Sequence, residues 1–187
     1  MSEVSPPSSN ARLFWTTAGI VVVLDLATKL IVQNTLTFLE PRRIIGDFVR
    51  FTLVYNRGAA FSMSLGSQSR YIFGTFALIA LVILWRLYRQ SAAHDRARVF
   101  ALGLAWGGAA GNLIDRIREP RGVVDFIDIG VGTVRFWTFN VADSAVTIGA
   151  LLLAWVLWHE DRERASDRRR RARAAASSER VEEKTGT

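Results

Sequence analysis

The stretch LFWTTAGIVVVLDLATKLIV, residues 13–32, decides the fold. As a helix it rises about 30 Å, the thickness of a bilayer's hydrocarbon core. It lacks a small-residue cleavage pattern after a compact apolar core, and Asp25 and Lys29 interrupt the run, so it reads as a retained span rather than a removable leader. Working outward, three more apolar blocks cover residues 71–88, 99–114 and 141–158. The third is short, and its ends are the least defined. Four such blocks in a half-apolar chain of 187 residues describe one polytopic membrane domain, residues 13–158, between a short N-terminal segment, residues 1–12, and a tail, residues 159–187. The expected fold class is membrane all-α, with four transmembrane helices.

The formal net charge of +7 is carried mostly by arginine and is densest in RERASDRRRRAR, residues 162–173. On a membrane chain this favours an anionic lipid surface as partner over nucleic acid. The tail mixes its arginines with Asp161, Glu163 and Asp167 and has almost no apolar residues, so it is expected to be solvated, continuing the fourth helix for some turns. Four spans put both termini on one side, together with the connector holding Arg86, Arg89, Arg96 and Arg98. Basic residues close to span ends mark the cytoplasmic side, which places the termini there. The opposite loops also carry arginines, among them Arg42, Arg43, Arg57 and Arg121, so the bias lies in density near the span ends.

Connectivity gathers the unusual polar residues on the other, extracytoplasmic face. It receives the end of the first span, the end of the third and the start of the fourth, and with them YNRGAAFS, GNLIDR, VVDFID and FNVADS. Residues 47–56, 123–129 and 133–139 alternate and are rich in β-branched and aromatic side chains, which predicts a small sheet lying on the outer membrane surface. Residues 58–66 fit a short amphipathic surface helix.

The chemistry open to that face follows from its inventory. The chain has no cysteine, and its two histidines, His94 and His159, fall on the basic face, away from a triad or a zinc site. Lys29 lies one turn after Asp25 and is expected to pair with it, because an unpaired carboxylate in the outer part of a span costs a few kcal/mol. Carboxylates remain. Asp143 opens the fourth span three residues after Asn140, a spacing that also suits an ordinary helix cap. Asp125 lies in an apolar loop beside Asp128, and spacing does not choose between them. Two carboxyls held close in a low-dielectric site share one proton. The ionised partner takes a proton from water; the protonated one hydrogen-bonds a scissile carbonyl and later supplies the leaving amine. Gly103, Gly107 and Gly111 form a smooth stripe for close helix packing, and Asn112 and Arg116, one turn apart, point to one space at the outer surface. GGAAGN follows a membrane helix rather than a strand and lacks the lysine of a phosphate-binding loop.

LDLATK, YNRGAAFS, GNLIDR with VVDFID, and FNVADS, in that order across residues 13–158, resemble the motifs of the lipoprotein signal peptidase (type II signal peptidase) family. The resemblance implies an aspartic endopeptidase of the bacterial plasma membrane that removes signal peptides from diacylglyceryl-modified prolipoproteins, cutting just before the lipidated cysteine. It matches the catalytic aspartates to Asp125 and Asp143, against Asp128. It matches Asn56, Asn112, Arg116 and Asn140 to polar positions lining the site, and Asp25 and Lys29 to a supporting first-helix motif. It also implies four helices with a small extracytoplasmic sheet. No metal or organic cofactor is expected, and the working unit is expected to be a monomer. A small transporter or channel component, with Asp25, Asp143 and Arg116 lining an ion path, and a non-enzymatic assembly factor are the rival classes. They predict flux without proteolysis, and indifference to loss of the aspartates, respectively.

Overall fold

In the computed structural model, which describes residues 9–58, 68–92 and 94–185, the first apolar block forms α1, Ser9–Thr35. The helix ends where Asn34 and Thr35 turn their side chains back onto the Leu30 and Ile31 carbonyls. Leu39 then adopts a positive φ of 64° and Pro41 follows, neither compatible with further helix. The chain continues as β1, Arg42–Ile45, and β2, Val49–Asn56. Then come α2, Ser69–Arg89; α3, Arg96–Arg118; β3, Val123–Val131; β4, Val134–Arg135; and α4, Val141–Thr185. The expected surface helix at residues 58–66 lies almost wholly outside the described residues.

Among the described residues, three helices are long and apolar enough to cross a membrane: Asn10–Thr35, Ser69–Arg89 and Val141–Ser166. Many of their apolar residues point outward. Ser69 is the one buried residue of α2, while Phe76, Ile79, Val82 and Ile83 along it are all at least half exposed. A surface of that kind needs lipid around it.

α3 is the helix the others pack on, touching α1, α2 and α4. Its small residues make this possible. A Cβ on Gly107 would stand 2.8 Å from the Ala18 carbonyl oxygen of α1, and one on Gly149 of α4 would stand 2.7 Å from the Ala101 oxygen of α3. The glycines that let neighbours approach also lower the hydropathy of α3, so the most enclosed helix is not among the three apolar enough to be read as spans. It runs beyond the expected block of residues 99–114 at both ends.

The sheet is antiparallel throughout, in the order β1-β2-β3-β4. β2 and β3 are the expected strands. β1 was not expected: its four residues are exposed and two are arginine. Of the expected strand at residues 133–139, two residues form β4. Phe139 then pairs separately with Ile127. Val32 of α1 packs under Leu53, Val124 and Phe126, fixing the sheet over the end of the first helix. Val141, at the start of α4, packs against the same cluster.

Candidate functional site

Strand pairing brings the two aspartates together. Phe139 donates to the Ile127 carbonyl at 3.0 Å and accepts from Phe126 and Ile127 at 3.0 and 2.8 Å, so the residue after it, Asn140, lies beside Asp125. Asn140 bridges the pair. Its side-chain amide donates to Asp125 Oδ1 at 2.7 Å, and its backbone N–H donates to Asp143 Oδ2 at 3.2 Å. Its side-chain oxygen accepts from the Asp143 N–H at 2.9 Å, closing a reciprocal cap on the first turn of α4. The cap expected at Asn140 and the bridge are thus one structure.

Each acid has a second amide donor. Asn56, at the end of β2, donates to Asp125 Oδ2 at 3.0 Å, and Asn112 of α3 donates to Asp143 Oδ1 at 2.7 Å. Asp125 is only 3% exposed. Burial and the neighbouring Asp143 charge push its carboxyl up to about 7, against the pull of the Asn56 and Asn140 hydrogen bonds. Asp128 is otherwise engaged, accepting from Arg135 at 2.6 Å and Thr52 at 3.3 Å.

Arg116 does not bond to Asp143. It donates to the Asn112 carbonyl at 3.1 Å and to the Gly58 carbonyl at 3.2 Å. Asn56 accepts from the Gly58 N–H at 3.0 Å, so the segment from Asn56 to Gly58 is clamped at the rim of the acid pair.

The expected pairing of Lys29 with Asp25 is present at 2.7 Å, but it is one side of a larger cluster. Lys29 also meets Asp115 at 2.8 Å and donates to Asn112 at 3.0 Å, and Asp25, Lys29 and Asp115 are all fully buried. Asp115 escaped the sequence reading, although a signal was there. It is the next step of the series Gly103, Gly107, Gly111 that faces α1. Gly108, Asn112 and Arg116 form the adjacent row; Gly108 and Asn112 on it meet α4.

An apolar helical frame with a polar, amide-lined acid pair at one end defines a helical membrane enzyme. The family model described as signal peptidase (SPase) II matches residues 17–159. The lipoprotein signal peptidase of Cupriavidus necator is 42% identical over 150 residues, covering 78% of this chain and 83% of the relative. That of Geobacter metallireducens is 34% identical over 159 residues, covering 84% and 98%. A bacterial membrane enzyme solved in meso at 2.3 Å resolution superposes with a TM-score of 0.70 at 33% identity, over 78% of this chain and 87% of that one. The chain belongs to the signal peptidase II family, and is a peptidase by that membership.

Proposed function

We propose that this protein removes the signal peptide from diacylglyceryl-modified prolipoproteins, cutting just before the lipidated cysteine, with Asp125 and Asp143 activating a water molecule. The bridge made by Asn140 carries the reading: two carboxyls tied through one residue and lined by amide donors are poised to hold one proton between them. Asp125 keeps the proton and Asp143 carries the charge. Asp143 takes a proton from the attacking water while Asp125 gives its own to the scissile carbonyl oxygen, leaving a tetrahedral diol. Collapse breaks the C–N bond; the leaving amine takes one proton from the pair, and the diol returns another, restoring the single-proton state. Asn56, Asn112 and Asn140 orient the acids, and Arg116 holds the clamped backbone at the rim.

In this reading α3 also crosses the membrane, making four spans, both termini are cytoplasmic, and the sheet and acid pair lie at the extracytoplasmic surface of the bacterial inner membrane. A substrate held by its acyl chains in the bilayer then presents its cleavage site at that height. The working unit is a monomer that needs no metal or cofactor. The test is cleavage of a diacylglyceryl-modified prolipoprotein by purified protein in detergent, beside an unlipidated substrate. Wild type should cut only the lipidated form, and Asp125→Asn and Asp143→Asn should each lower the rate by about 10²–10⁴-fold. Undiminished cleavage by both variants would refute the dyad, and activity lost to chelators and restored by a metal ion would refute the cofactor-free mechanism.

A further inference from the structure

The ammonium of Lys29 donates to Asp25 at 2.7 Å and to Asn112 at 3.0 Å, and is ion-paired with Asp115 at 2.8 Å. Each of these partners leads to one of the two acids. Asp25 accepts from the backbone N–H of Ala142 at 2.9 Å, and Ala142 immediately precedes Asp143. Asp115 accepts from the backbone N–H of Val124 at 3.3 Å, and Val124 immediately precedes Asp125. Asn112 donates directly to Asp143. We infer that Lys29, Asp25 and Asp115 form a positioning device that fixes the separation of Asp125 and Asp143: the peptide N–H just before each acid is held by a carboxylate, and both carboxylates pair with one ammonium. This deepens the reading above and rests on it.

Stability alone accounts poorly for this arrangement. Two carboxylates and an ammonium taken wholly out of water are expensive, and apolar packing joins helices at lower cost. What an ion cluster adds is direction. Asp143 belongs to α4 and Asp125 to β3, and the one direct tie between those two backbones near the acids is the short pairing at Phe139. Through Lys29 both are also referenced to α1. Acid pairs tolerate little drift: a misplacement of about 1 Å costs about 10²-fold in rate.

The test separates the hydrogen bond to the backbone from the charge. Asp25→Ala and Asp115→Ala remove the acceptor of the Ala142 or Val124 N–H; Asp25→Asn and Asp115→Asn keep an acceptor oxygen and lose the charge. In the purified full chain, corrected for the folded fraction, each alanine variant should lose about 10²-fold in kcat with KM within about twofold, and each asparagine variant should recover most of that loss. Amide exchange at Val124 should quicken in Asp115→Ala, and at Ala142 in Asp25→Ala, but in neither asparagine variant. Asparagine variants as impaired as alanine ones, a loss appearing in KM, or unchanged kcat in the folded fraction would each overturn the inference. Wild-type protein that cuts no prolipoprotein would instead overturn the proposed function, a separate failure.

Discussion

At the scale of single residues, the proposed reaction takes its working pH from the proton on Asp125. Its carboxyl is held at about 7, and the proposed reaction needs it protonated, so kcat/KM should fall as pH rises through about 7. Asn56 donates to the ionised form, so Asn56→Ala should raise the pKa further and move this limb to higher pH. A profile of kcat/KM from about pH 5 to about pH 9 checks it; a shift to lower pH would contradict the assignment. Stability has its own pH dependence. Folding raises this pKa from 3.8, so between about pH 4 and about pH 7 the native chain keeps a proton that the unfolded chain has lost. Stability therefore declines with rising pH across that window, and the penalty is complete above it. Asp125→Asn should raise the unfolding temperature at about pH 8 and leave it unchanged at about pH 4. The sequence displays the acids but not their faces. Asp125 and Asp128 look interchangeable until strand register places one against Asn140 and the other against Arg135.

At the scale of elements, α3 governs. Gly103, Gly107 and Gly108 lie where a neighbouring backbone passes, and backbone cannot swing aside as a side chain can. Gly107→Ala would set a methyl 2.8 Å from the Ala18 oxygen and should cost about 1–3 kcal/mol, read as a fall in unfolding temperature in detergent. Gly74→Ala in α2 meets nothing closer than a Leu113 methyl at 4.0 Å and should stay within about 0.5 kcal/mol of wild type. Equal effects at the two positions would mean that helix propensity, not close packing, sets the cost. The stripe of Gly103, Gly107 and Gly111 was legible because a four-residue repeat of the smallest side chain has few other uses in an apolar helix. Its continuation to Asp115 was not, because a carboxylate beside Arg116 and Arg118 looks like surface charge until α1 supplies Lys29. β1 carries no pattern to find: it is four residues long, and β2 across the ladder recruits it.

At the scale of the whole molecule, the absence of cysteine makes orientation directly measurable. Both faces are rich in arginine, but the arginines sit differently. On the sheet face Arg50 and Arg135 are committed to Asp47 and Asp128, and Arg121 to Glu119 while lying 3.9 Å over the Tyr55 ring. On the other face Arg86 and Arg89 occupy the last turn of α2, Arg89 lies 5.6 Å over Trp85, and Arg162 lies 4.1 Å over Trp158 of α4. Arginines resting on tryptophan just past an apolar helix are the arrangement expected at a cytoplasmic membrane boundary. Single cysteines report directly on this. Thr133→Cys, exposed at the β3–β4 turn, should react with a membrane-impermeant maleimide in spheroplasts, and His94→Cys, exposed in the α2–α3 connector, should react only after lysis. The reverse pattern would put the acid pair on the cytoplasmic side. It would also break the proposed function, because a signal peptide cut at the outer surface cannot be reached from there.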